Sequence, residues 1–166
     1  MVSQEEVAYL KKAYEFASYR SDDPRTQNGA ILVKHDIVIG IGVNELPRKV
    51  EKTEERLNNR DIKYKFMEHA ERNAIFAAAR EGYNTEYSTL FVPWYACADC
   101  ARSIIQAGIK RVVGHKQVFD AYGEGPWTES INAGNEMFKE AGVITELYDG
   151  QIGGVQIMLN GKIWKP

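Results

Sequence analysis

At 166 residues, 44% apolar and 27% charged, the chain has the balance of one ordinary globular domain with a full core and no obvious linker. A net charge of −2 and a pI near 6.0 speak against a polynucleotide partner, because surfaces that track phosphates need a basic excess. No 18-residue apolar run offers a membrane span, the acidic and polar start is no signal peptide, and only two cysteines exist, so no disulfide framework is expected and a reducing cytoplasm is the expected setting.

Val7, Leu10, Tyr14 and Ala17 recur at helical spacing and predict a first helix over residues 5–19, ended by Ser21-Asp22-Asp23-Pro24. Two β-rich runs, 29–33 and 37–41, flank a Lys34-His35-Asp36 turn and read as a hairpin. Residues 48–65 follow as an irregular excursion with seven Lys/Arg against four Asp/Glu, a net +3 that leaves −5 for the rest. That stretch reads either as a solvated charged loop or as a rim that attracts a small anion. A second helix begins near Glu68 and stops at Gly82, a third strand covers 89–92, and a third helix runs from about Ala98 to Gly108. Strand four (111–114), a helix over 128–141 closed by Gly142, and strand five (143–148) complete the order. Helices between strands three, four and five require parallel crossovers, hence a mixed sheet covered on both faces. Residues 152–164, centred on Asn160-Gly161, read as a terminal hairpin. Residues 1–150 are therefore expected to form the functional domain, with 151–166 an extension of it.

The chemistry concentrates in His69-Ala70-Glu71 and Cys97-Ala98-Asp99-Cys100. The two stretches sit on the predicted starts of two helices, and Cys97 comes 28 positions after His69, with room between them for one helix and one strand. Helix N-termini carry partial positive charge and free N–H groups, which favour thiolate over thiol. Two thiolates and one neutral imidazole fill three tetrahedral positions on Zn²⁺ and leave the fourth for water. Glu71, two residues after a ligand, is free to face that water and serve as a general acid/base. His-x-Glu followed by Pro-Cys-x-x-Cys is the pattern of zinc-dependent nucleobase deaminases, with Ala96 standing here where the pattern has proline. A four-ligand structural site is disfavoured because no third cysteine exists. His35 and His115 read as ordinary solvated histidines.

Around these motifs the chain resembles the deoxycytidylate (dCMP) deaminase family, in its bacterial and phage branch. The resemblance runs over residues 7–148. It includes Asp23-Pro24-Arg25-Thr26-Gln27-Asn28-Gly29-Ala30, the segment 65–75, the Cys-x-x-Cys, and Ile104-Ile105-Gln106-Ala107-Gly108-Ile109. It implies an α/β, three-layer α/β/α cytidine deaminase-like fold with a five-stranded mixed sheet, to which the C-terminal hairpin is added. It implies one zinc ion held by His69, Cys97 and Cys100, with Glu71 as proton shuttle and dCMP hydrolysed to dUMP and ammonia. Asn44 matches the asparagine that positions the sugar, and Arg25 and Thr26 lie in the loop expected near the phosphate. Trp94 and Tyr95 read either as walls of the base pocket or as core packing. The resemblance further implies a homo-oligomer, a hexamer, and possible dCTP/dTTP effectors. Relatives carry Gly-Tyr-Asn-Gly-x-Pro where this chain has Gly42-Val43-Asn44-Glu45-Leu46-Pro47. The lost aromatic and the added carboxylate bear on nucleotide preference and effector response. Two other readings remain at this point. One is a deaminase of another cytosine nucleoside or nucleotide, such as cytidine, dCTP or a 5-modified dCMP. The other is a silent zinc-stabilised scaffold, against which Glu71 speaks, because a structural site has no use for that carboxylate.

Overall fold

Period-two alternation sorts the side chains of the central strands onto two faces. β1 (Gly29–Lys34), β2 (Ile37–Val43), β3 (Thr89–Phe91), β4 (Arg111–His115) and β5 (Ile144–Tyr148) form one sheet in the order β2-β1-β3-β4-β5. β1 runs antiparallel to both β2 and β3, whereas β3, β4 and β5 are mutually parallel. Ile31, Val33, Phe91 and Val113 cluster with Leu10 and Ala13 of α1 (Gln4–Arg20). Ala30, Leu32, Leu90 and Val112 face the other way. They meet Ala74 and Ala78 of α4 (Ala70–Arg80), Ile104 of α5 (Ala98–Gln106) and Phe138 of α7 (Thr128–Ala141). Each large side chain so buried contributes about 1.5–3 kcal/mol, and the result is the three-layer arrangement expected. This computed structural model describes residues 2–94, 96–122 and 125–166.

Two segments depart from the sequence expectation. The charged stretch is helical over α2 (Glu54–Asn58) and α3 (Arg60–Phe66). Thr53 caps the first through the Arg56 N–H, and Asn59 caps the second through the N–H groups of Asp61 and Ile62, so each short helix begins on a side-chain acceptor. A further helix, α6 (Lys116–Tyr122), continues directly from β4 and buries Val118.

His115 is also a correction. It is fully buried rather than solvated, because the last residue of β4 is flanked by the rings of Tyr14, Tyr148 and Trp164. Its Nε2 lies 2.8 Å from the Gly150 carbonyl, which can only accept, so Nδ1 accepts from the Tyr14 hydroxyl at 2.7 Å. Burial holds this imidazole below its ordinary pKa and raises that of the Tyr14 phenol. His35, in contrast, is exposed in the β1–β2 turn.

Two local features set the start of α4 against the sheet. A Cβ on Gly42 would sit 2.1 Å from the Ala70 carbonyl oxygen, so only glycine lets the helix approach β2 this closely. Asn73 Nδ2 then donates to the Val43 carbonyl at 2.9 Å. The C-terminal hairpin, β6 (Ile157–Leu159) and β7 (Lys162–Trp164), forms its own two-stranded sheet. Ile157 packs with Tyr14 and Ala17 of α1.

Candidate metal centre and active-site cleft

His69 is the N-cap of α4, Cys97 is the N-cap of α5, and Cys100 lies in the first turn of α5. Neither cap side chain bonds its own helix, which leaves the imidazole and the thiol available to a ligand. Ser130 of α7 accepts the Ala98 N–H at 3.0 Å in their place. At Ala96, where the deaminase pattern has proline, α7 packs so closely that a Cβ on Gly134 would lie 3.0 Å from the Ala96 carbonyl oxygen. The turn into Cys97 is thus braced by a neighbouring helix.

His69 Nδ1 lies 3.6 Å from Cys97 Sγ and 3.5 Å from Cys100 Sγ, and the three ligand atoms fall within 4.8 Å of one another. A tetrahedral ion about 2.1 Å from an imidazole nitrogen and about 2.3 Å from each sulfur sets nitrogen and sulfur about 3.6 Å apart. The donor set therefore fits Zn²⁺ in chemistry and in spacing. A hydrogen bond with Cys100 holds the Cys97 thiol far below its ordinary pKa, at about 3, with the His69 contact adding to it against the effect of burial. That hydrogen bond and then burial push Cys100 upward.

Glu71 is the second residue of α4 and is 3% exposed. Burial raises its carboxyl above the ordinary range and the charge at Cys97 adds to this, while His69 opposes it. A carboxyl shifted toward neutrality is suited to exchanging protons near pH 7.

Glu71, His69 and Cys97 open into a cleft of about 430 Å³, within the range of small-molecule sites. Asn44 bridges its parts. Its Oδ1 accepts the Ala70 N–H at 3.1 Å and its Nδ2 donates to the Thr26 carbonyl at 3.2 Å. A primary amide has two donors and two lone pairs, so one of each remains for a ligand. Arg25, Thr26 and Trp94 also line the cleft. Tyr95, the other aromatic anticipated there, lies outside the described residues.

The cleft contains residues that sequence reasoning missed. Lys63 and Asp23 form a buried ion pair, with Nζ 2.9 Å from both carboxylate oxygens and side chains only 5% and 6% exposed. The same Asp23 accepts the backbone N–H groups of Arg25 and Thr26, so α3 anchors the loop that carries both. Removing one partner of such a pair typically costs about 3–5 kcal/mol. Trp127 sets its ring edge-on to His69, with centroids 5.6 Å apart, and Tyr64 does the same to Trp127 at 5.3 Å. Asn28, Asn58, Arg60 and Asn160 add to the polar lining. Asn59, a capping residue, marked the helix that carries Lys63. No local signal pointed to Asn160, which arrives from the far end of the chain.

A three-layer fold with His-x-Glu at one helix start and Cys-x-x-Cys at the next defines a zinc-dependent deaminase. The chain belongs to the cytidine and deoxycytidylate deaminase family, whose zinc-binding region matches residues 3–116. It is 37% identical over 123 residues to a deaminase encoded in the luxG 3′ region of Aliivibrio fischeri, covering 74% of this chain and 80% of that one. It is 34% identical over 143 residues to the deoxycytidylate deaminase of Mus musculus, covering 81% and 75% respectively. Among solved structures, the dCMP deaminase of cyanophage S-TIM5 in complex with dCMP and dUMP superposes with a TM-score of 0.68 at 27% identity. That match covers 89% of this chain and 99% of the phage enzyme. Zinc is the metal of this family, and His69, Cys97 and Cys100 are grouped to hold it. Among the described residues no helix is long and apolar enough to cross a membrane.

Proposed function

We propose that this chain hydrolyses dCMP to dUMP and ammonia, supplying dUMP for thymidylate synthesis in the cytoplasm. Residues 1–150 carry the deaminase unit and 151–166 extend the same domain. The observation that carries this reading is the meeting, in one nucleotide-sized cleft, of a zinc-fitted donor set, a buried Glu71 and the cation of Arg25. The phage enzyme of similar fold, described with dCMP and dUMP, supports the choice of substrate.

His69, Cys97 and Cys100 would hold the ion, which when bound acts as a Lewis acid and lowers the pKa of water from 15.7 toward about 7. Glu71 takes one proton of the attacking water and delivers it to the ring nitrogen, then takes the second from the hydroxyl now on the substrate carbon and passes it to the amino group, which leaves as ammonia as the carbonyl forms and the C–N bond breaks. Asn44 offers its spare N–H and lone pair to the sugar, while Trp94 and Trp127 wall the base. Arg25 meets the phosphate, where a guanidinium can pair with two oxygens at once.

The test follows ammonia release from cytidine, deoxycytidine, CMP, dCMP, dCTP and 5-substituted dCMP. Wild-type enzyme prefers dCMP. Arg25→Ala lowers kcat/KM for dCMP about 10- to 150-fold, the value of a charge-assisted contact, with little loss on deoxycytidine. Equal losses on both would assign Arg25 to loop structure, and equal wild-type efficiency on dCMP and deoxycytidine would overturn the nucleotide assignment. A homo-oligomer, specifically a hexamer, with dCTP and dTTP as effectors, extends this reading. Light scattering at micromolar concentration should return about six chain masses, and a monomer would remove both the assembly and the effectors.

A further inference from the structure

The C-terminal hairpin lies beyond the residues that match the family, which end at 116, yet it reaches the cleft. Its two strands are joined by Asn160 and Gly161, both at positive φ (51° and 78°), as a two-residue hairpin turn requires. The hairpin clasps the Arg25–Gln27 stretch along its length. Gly161 N–H donates to the Arg25 carbonyl at 2.7 Å, and Asn160 N–H to Thr26 Oγ1 at 3.3 Å. The Gln27 N–H donates to the Met158 carbonyl at 2.9 Å, and the Met158 N–H returns to Gln27 Oε1 at 2.8 Å. The Arg25 guanidinium lies against the turn, with its terminal nitrogen 3.4 Å from where a Cβ on Gly161 would stand. The clasp is itself fixed to the body, because Ile157 and Leu159 are buried and Trp164 sits beside Tyr14 and His115.

Two polar groups are thereby presented to the cleft. Among the described residues no hydrogen bond or ion pair engages the Arg25 guanidinium or the Asn160 side-chain amide, and both residues line the same opening as His69 and Glu71. From the metal outward the order is Ala70, Asn44, Thr26, Asn160, each bonded to the next. The turn therefore stands at the end of that chain of contacts remote from the His69 helix start, beside the one cation proposed for the phosphate.

Resting on the dCMP reading above, we infer that the hairpin turn is the specificity wall of the cleft for the 5′-phosphate. Gly161 positions the Arg25 guanidinium, and Asn160 donates its amide N–H to a phosphate oxygen. An amide is the fitting group at this point. It donates to an anion without adding charge, and Asn tolerates the left-handed backbone of the turn.

The test compares kcat and KM of full-length, zinc-loaded enzyme on dCMP and on deoxycytidine for wild type, Asn160→Gly and Asn160→Asp. Both substitutions suit the positive φ, so neither should disturb the fold, which the thermal midpoint and zinc content check. Asn160→Gly removes the donor, whereas Asn160→Asp puts a carboxylate in front of the substrate dianion. For dCMP, kcat/KM should fall in the order wild type, Gly, Asp. The Asp variant should lose about 10-fold or more, mainly through KM and less steeply at high salt, and its loss on deoxycytidine should be at least fivefold smaller. Equal losses on the two substrates, or an Asp variant that keeps wild-type efficiency on dCMP, would overturn the inference alone. A wild-type enzyme indifferent to the phosphate would instead bring down the dCMP reading on which it rests, before any variant is made.

Discussion

Glu71→Gln should lower the turnover of dCMP by about 10²–10⁴-fold, the usual contribution of a positioned general acid/base, while leaving zinc content and fold intact. The side chain is 3% exposed and belongs to the first turn of α4, so the isosteric amide fits the same space. The amide cannot take up a proton. Nor does the exchange leave a buried partner charge stranded, because Glu71 forms no ion pair among the described salt bridges. It removes a group that burial already biases toward neutrality, so stability should change little. Steady-state ammonia release, metal analysis and thermal unfolding on one preparation separate the alternatives. Turnover within about threefold of wild type would mean that another group moves the proton, whereas loss of zinc together with activity would make Glu71 part of the metal's support.

Removing a metal ligand should produce the second large effect. Cys97→Ser or His69→Ala should abolish stoichiometric zinc, about one ion per chain in the wild type, and with it activity and much of the stability. The ligand atoms stand 3.5 and 3.6 Å apart across the starts of two different helices, so the ion ties α4 to α5 as well as completing the site. A metal that binds only the folded chain stabilises it by RT ln(1 + [L]/Kd), about 4 kcal/mol when free metal is a thousand times Kd. Chelation of wild-type enzyme should therefore lower the thermal midpoint reversibly, and the ligand variants should start from the lowered value and show no response to chelator. Full activity in metal-free protein would sink the zinc assignment.

What was legible in the sequence follows from how local each signal is. The β-rich apolar runs 29–33 and 37–41 around the Lys34-His35-Asp36 turn, and helical spacing at Val7, Leu10, Tyr14 and Ala17, are enough to predict the hairpin and α1, because these patterns are written within one element. The metal centre was readable for another reason: its three donors differ in type from the surrounding residues and recur at spacings few other sites use. The helices α2 and α3 are hidden in the sequence because charge masks their short apolar faces, and only the caps Thr53 and Asn59 announce them. The burial of His115 depends on tertiary contacts that its neighbours in sequence do not reveal. A histidine at a strand end beside Lys116 looks solvated until Tyr14, 101 positions earlier, and Gly150 take up its two nitrogens. The Lys63–Asp23 pair and the Asn160 turn were out of reach on the same ground, since nothing near either residue names its partner.

The clasp on the Arg25–Gln27 stretch carries a consequence in time. All three metal donors and Glu71 lie within the first 100 residues, but the turn that meets Arg25 is made by Asn160 and Gly161, 60 and 61 positions after Cys100. Contacts between such distant positions form late, because closing a long loop must precede any gain from them. On a ribosome releasing the chain from its N-terminus, the donors for the ion leave the tunnel long before the substrate cleft can be completed. The nascent protein is thus equipped to acquire its metal first and becomes able to grip a nucleotide only once Gly161 has emerged, so a chain cut before Ile157 should be metallated and yet unselective.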